Sequence, residues 1–285
     1  MSWFFLVLLY GTIKGIRDVV KKKALTKNTV MEVLFVYTLL AFLCCVPEIR
    51  TVGGVPTHYY FLIFIKSFII FIAWILSFKA LDEVPISIYG VLDLSRILFS
   101  TFFGIIILDE KAGIGQIIGF FLIIFGLLFL KIYPSIIAKD TLVKEDIKPK
   151  YIFAILGSCI LNATSGCLDK IYMKDLTSTQ LQFWYMLFLV ILYGMYFVVR
   201  RIRIDRSIWK NGWIWLLSIL FFVGDRALFI ANENPASKVS VMTLIKQSAC
   251  IISILAGKFV FKEKNIGYKL FAAAIVLIGI VISVL

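Results

Sequence analysis

Apolar runs of about twenty residues, separated by short polar stretches, fill the chain: residues 3–20, 30–47, 59–81, 86–108, 113–132, 151–173, 178–199, 213–231, 237–261 and 266–285. Runs of this length cross a hydrocarbon core of ~30 Å as helices, and they lack the short alternating pattern of a transmembrane β-barrel. All six prolines (positions 47, 56, 85, 134, 149 and 235) fall at or between run ends, where a residue that disrupts helix interiors belongs. The pattern predicts an all-α polytopic membrane protein of ten transmembrane helices. A polar linker, 133–150, divides a first unit (1–132) from a second (151–285).

The two units are written on one plan. At an offset of 153, Ser87 meets Ser240, Ser95 meets Ser248, Gly104 meets Gly257, Glu110 meets Glu263, Lys111 meets Lys264 and Gly126 meets Gly279. At an offset of 151, Gly15, Asp18, Lys23 and Thr26 meet Gly166, Asp169, Lys174 and Thr177. Since five is odd, two similar five-helix units enter the membrane in opposite senses. Such an inverted repeat is a recurrent transporter design, with the substrate site near the midplane between the halves. At the equivalent point two turns inside the fourth helix of each unit stand Asp93 and Lys246, opposite charges at matched positions.

Composition agrees: 61% of the 285 residues are hydrophobic and 16% charged, against roughly half and a quarter in soluble domains. The net charge of +13 does not call for nucleic acid, because the bases cluster in short loops. Twenty Lys and Arg residues sit in or beside the loops after the first, third, fifth, seventh and ninth runs, and five on the other side. The positive-inside rule then places both termini outside. The first run has no base ahead of it and four lysines behind, unlike a signal peptide. The five cysteines lack CxxC spacing and read as small buried hydrophobes, and His58 is the only histidine, which points away from a metal centre.

Ten runs in two units, with the fourth helix of each ending in a Glu-containing cap (Leu108-Asp-Glu110-Lys and Phe261-Lys-Glu263-Lys) and a Gly-rich fifth helix (Gly119, Gly126), resemble the EamA family of the drug/metabolite transporter superfamily. The resemblance covers essentially the whole chain. It implies a secondary transporter of small metabolites, with a cavity lined by helices 1–4 and 6–9 and peripheral fifth and tenth helices. Leu244-Ile-Lys246-Gln247 is similar to the Leu-x-Lys-Arg stretch on the ninth helix of plastid phosphate translocators, with Gln247 in place of the arginine.

A charge at the centre of a spanning helix costs roughly 2.5–3.5 kcal/mol, so such residues face a partner or a wet cavity. By sequence position these are Lys14, Lys66, Arg96, Arg226 and Lys246, with Asp93 and Asp225 as the only acids. Asp93 and Arg96 share a helix face. With Lys246 and Gln247 they meet across the repeat axis to bind substrate, or they form an ion pair that joins the halves. Asp225 and Arg226, adjacent and about 100° apart, bind a zwitterion, relay a proton or clamp neighbouring helices. Lys66 adds positive field to the cavity or, like Lys14, snorkels to a headgroup. Trp74, Tyr89, Trp184, Tyr185 and Tyr193 are candidates to stack on a ring or a quaternary amine, whereas Trp209, Trp213 and Trp215 fit an interfacial belt. Gly115-x-x-x-Gly119, with Ala272 to Ala274, permits close helix packing within a monomer or between two copies.

The expectation is a plasma-membrane secondary transporter of an anionic or zwitterionic solute, amino-acid-like or phosphorylated. It would work by alternating access, need no cofactor and couple to a proton or another ion. A quaternary-amine carrier such as one for choline, and a non-transporting accessory or sensory subunit, are the rivals. An enzyme is disfavoured by the absence of HExxH, a membrane aspartate pair or a Ser-His arrangement.

Overall fold

The first helix, α1 (Trp3–Leu25), continues past Val20, where its apolar run stops. The structure, a computed structural model, describes residues 3–108, 113–133, 147–201, 204–247 and 249–284. Glu110, Lys111, Ser248 and 134–146 of the linker lie outside them. Arg17 and Lys21, expected in a loop, are buried on α1. The helix continues because other helices supply partners for its charges, so that a polar stretch which reads as a loop packs as a face.

The remaining helices are α2 (Val30–Cys45), α3 (Thr57–Glu83), α4 (Ile86–Asp93), α5 (Arg96–Leu108), α6 (Ile114–Ile132), α7 (Pro149–Tyr172), α8 (Ser178–Arg200), α9 (Gly212–Glu233), α10 (Val239–Lys246), α11 (Ala249–Phe259) and α12 (Ile266–Val284). Short 3₁₀ turns follow α2 (Val46–Thr51) and α8 (Arg206–Lys210). Among the described residues all regular structure is helical. Taking α4 with α5 and α10 with α11, seven helices among the described residues are long and apolar enough to cross a membrane, and α6 and α12 carry shorter apolar stretches.

The fourth helix of each unit is not the continuous rod that hydropathy predicts. It stops at Asp93 and resumes at Arg96, and in the second unit it stops at Lys246 with a turn at Gln247. Around the first break the backbone bonds shorten to three-residue steps, Leu94 to Val91 at 3.1 Å and Ile97 to Leu94 at 3.0 Å. A break of this kind leaves carbonyls without intrahelical partners. Asp93 O is taken by Gln247 Nε2 at 2.8 Å, so the two breaks are bonded to each other.

Helix neighbours respect a two-fold exchange of the units. α1 packs on α9 and α11 as α7 packs on α3 and α5; α4 meets α11 as α10 meets α5; α2 meets α8, and α6 meets α12. The caps follow suit. Thr29 and Glu32 close a capping box on α2, and Thr177 and Gln180 one on α8. Glu32 then accepts the N–H of Asp205 (3.0 Å) while Gln180 donates to Gly53 O (2.7 Å), each reaching into the other unit.

α6 and α12 cross on small residues. A Cβ on Gly126 would stand 2.6 Å from Val276 Cγ2, and one on Gly279 2.8 Å from Leu122 Cβ and 2.9 Å from Gly119 O. Gly119 and Ala272 thus serve a contact within one chain.

Candidate functional site

A polar cavity of about 90 Å³ opens between the units, walled by α1, α3, α4, α5, α7, α8, α9 and α10. Six bases line it: Lys14, Arg17, Lys21, Lys66, Arg96 and Lys246. Asp18, Asp169 and Asp225 line it too, and Asp93 is buried behind Arg96 and Lys14. Six positive charges face four carboxylates. Burying charges is unfavourable unless they pair and hydrogen-bond, and the pairing here is specific.

Asp93 is the hub. One carboxylate oxygen accepts Lys14 Nζ at 2.7 Å and the other Arg96 Nη2 at 2.8 Å. Lys14 also donates to Gln247 Oε1 (3.3 Å) and lies 3.7 Å from Asp18, which in turn accepts Lys21 at 2.8 Å. This cluster holds three bases and two acids across α1, α4, α5 and the break before α11. Arg17 reaches α9 to pair with Asp225 at 3.0 Å and lies 4.9 Å from the Phe221 ring centroid. Lys66 on α3 stands 3.0 Å from Asp169 on α7, with its Nζ 3.6 Å from the Tyr185 ring centroid and 5.3 Å from that of Phe229.

Lys246 is different. It lines the cavity half-buried, and among the described residues it has neither an ion pair nor a hydrogen bond. Asp93 and Lys246 therefore do not form the direct pair that their matched positions allow. Asp93 is neutralised within the first unit, and its counterpart is left to the cavity.

Other expectations are corrected in the same way. Lys14 and Lys66 do not snorkel; they are 8% and 1% exposed and hold carboxylates. Asp93 and Asp225 are not the only buried acids, since Asp18 and Asp169 are equally enclosed. Asp225 faces the cavity but Arg226 faces away, bonding Thr179 Oγ1 at 2.9 Å, Gln182 and Glu48, which is the clamp reading for that residue. Trp74, Tyr89 and Tyr185 line the cavity. Trp184 does not: its indole donates to Val52 O at 3.1 Å and its ring packs on Tyr60. Tyr193 is buried against Phe71, also away from the cavity. The duplicated Gly-x-x-Asp, Gly15 to Asp18 and Gly166 to Asp169, is the signal by which sequence could have found the two missed acids.

In each unit one lysine ties the first helix to the turn before the broken fourth helix. Lys22, at the end of α1, donates to Leu81 O at 2.9 Å and to Val84 O in the turn from α3 to α4. Lys170, at the end of α7, donates to Asn232 O (3.0 Å), Asn234 O (2.8 Å) and Ser237 Oγ (2.7 Å) in the turn from α9 to α10. Beside the first latch, Glu263 accepts Ile86 N–H at 2.7 Å and also the Ser87 hydroxyl, so the second unit caps the broken helix of the first. Gly257 makes room for that carboxylate, as a Cβ there would stand 2.8 Å from Glu263 Oε2.

The sequence profile of the EamA-like transporter family matches residues 1–132 and 149–285. No curated protein sequence matches significantly. Among solved structures, one crystal structure is 13% identical, covers 95% of this chain and 95% of its own, and superimposes with a TM-score of 0.64. At that identity the likeness shows the fold alone.

Proposed function

The chain belongs to the EamA-like transporter family, and on that premise we propose that this multi-pass membrane protein is a secondary-active transporter of a small anionic or zwitterionic metabolite, amino-acid-like or phosphorylated. The observation that carries the reading is Lys246, which among the described residues has no ion pair or hydrogen bond, on the wall of a cavity already richer in bases than in acids. A buried positive field attracts a carboxylate or phosphate and disfavours a bare cation, so a choline-like solute is the poorer fit. In this reading ten spans form two inverted five-helix repeats, both termini lie outside the plasma membrane, and one repeat rocks against the other. A cavity of about 90 Å³, small beside the roughly 300–1,000 Å³ of ordinary ligand pockets, suits a small solute.

The test is thermal stabilisation of the purified protein by carboxylates, organic phosphates, amino acids and choline. A ligand at 100 times its dissociation constant adds about 2.7 kcal/mol to the native state. Anionic or zwitterionic solutes are expected to stabilise the native chain and to lose that effect in Lys246→Gln. Uptake into liposomes then separates a carrier from a sensory subunit that binds without transport. Stabilisation by choline alone, unaffected by Lys246→Gln, would overturn the assignment.

A further inference from the structure

Three of the four buried carboxylates at the cavity accept well-aligned hydrogen bonds from a base: Asp93 from Lys14 and Arg96, Asp18 from Lys21, Asp225 from Arg17. Asp169 does not. Lys66 Nζ forms an ion pair with Asp169 Oδ1 at 3.0 Å, but its angle is poor for a hydrogen bond, and among the described residues that buried oxygen has no other hydrogen-bond partner. The ammonium sits instead 3.6 Å from the Tyr185 centroid, with Phe229 at 5.3 Å. Two aromatic faces and an acceptor-only carboxylate around one cationic nitrogen are the elements from which proteins build sites for ammonium ligands. The cation found there is the protein's own.

We infer that Asp169, Tyr185 and Phe229 form a subsite for the ammonium group of the solute, occupied in the solute-free form by Lys66. The inference rests on the reading of this cavity as the solute site and deepens it: the solute is a zwitterion, its carboxylate taken by Lys246 and its ammonium by Asp169, with Lys66 displaced into the polar space between. A structural ion pair between α3 and α7 would favour aligned hydrogen bonds of the kind the other three carboxylates make. A site meant to be vacated does better with an occupant held by charge and ring faces than by aligned hydrogen bonds. Competition also explains selectivity. While Lys66 is charged and in place, an amine lacking a carboxylate gains nothing from Lys246 that offsets displacement of the lysine.

The experiment compares three probes by thermal stabilisation and calorimetry on the full-length protein: L-alanine, propionate, which lacks the ammonium, and ethylamine, which lacks the carboxylate. The native protein is expected to bind alanine more tightly than propionate, and ethylamine weakly. In Lys66→Met, ethylamine affinity rises about tenfold, since one tethered competitor is gone, while propionate affinity does not rise. In Asp169→Asn, alanine affinity falls to that of propionate. A folded Lys66→Met with no gain for ethylamine, or an Asp169→Asn that weakens alanine and propionate equally, overturns the subsite. Should Lys66→Met fail to fold, the alanine-to-propionate ratio in Asp169→Asn decides alone. Binding of propionate lost in Lys246→Gln, without any ammonium advantage, would sink the subsite and leave the transporter reading standing. No stabilisation by any of the three probes or by the wider anion panel would count against both.

Discussion

Asp93 shows how one side chain organises the centre of this protein. It neutralises Lys14 from α1 and Arg96 from α5, and its backbone carbonyl binds Gln247 from the other unit. Removing one member of a buried ion cluster leaves its partners uncompensated, at a cost of about 3–5 kcal/mol. Asp93→Asn is therefore expected to lower the apparent melting temperature strongly in a solute-free scan, whereas Lys246→Gln, which removes a charge that has no ion pair or hydrogen bond among the described residues, is expected to leave it unchanged or raise it. Equal melting temperatures for the two variants would contradict the division of roles between these matched positions. Much of this was legible in the sequence, because Asp93, Arg96, Lys246 and Gln247 stand far inside apolar runs where polar groups need a reason to be. Arg17, Asp18 and Lys21 were not legible, because they stand at the end of the apolar run, just before or after Val20, and hydropathy cannot distinguish a loop from a helix whose charges are met by other helices. Asp169 was hidden similarly, close to the end of its run, and its partner Lys66 comes from a helix about a hundred residues away in sequence.

At the scale of elements, the boundaries follow prolines and caps that can be read directly, such as Pro149 at the start of α7 and the capping boxes of α2 and α8. The breaks in the fourth helices could not be read. No glycine or proline stands between Asp93 and Arg96, and the interruption is maintained by tertiary bonds to the freed carbonyl. The outermost pair of helices is a simpler case. α6 and α12 approach so closely that Gly126 and Gly279 have no room for a side chain, and dispersion over close-packed small residues is what joins helices in lipid. Gly126→Leu is expected to cost about 1–3 kcal/mol by overpacking. Because neither helix lines the cavity, the variant should lose thermal stability while its affinity for a bound solute remains within twofold of native. A calorimetric titration showing a large loss of affinity would mean that the outer pair supports the site.

For the molecule as a whole, the exchange of units extends to the latches. Lys22 ties α1 to the turn after α3, and Lys170 ties α7 to the turn after α9. In the proposed cycle of alternating access, each end would open with the bonds of its lysine broken. Lys22→Met should favour opening at the end with the α3–α4 turn, and Lys170→Met at the end with the α9–α10 turn. This can be read with Ser165→Cys, a cavity position, in a chain whose Cys44 is replaced by Ala. Labelling by an impermeant maleimide added from one face of sealed vesicles should rise in one latch variant, and labelling from the opposite face in the other. Identical labelling of both variants from both faces would remove the latches from the transport cycle.

Gln247 sits where the similar stretch of phosphate translocators has arginine, and its amide gives one end to Asp93 O and the other to Lys14. An arginine carries donors only, so at this place it would lose the acceptor that holds Lys14 and set two cations side by side. The neutral amide thereby keeps the surplus of the chamber at two positive charges, six bases against four carboxylates, where an arginine would raise it to three.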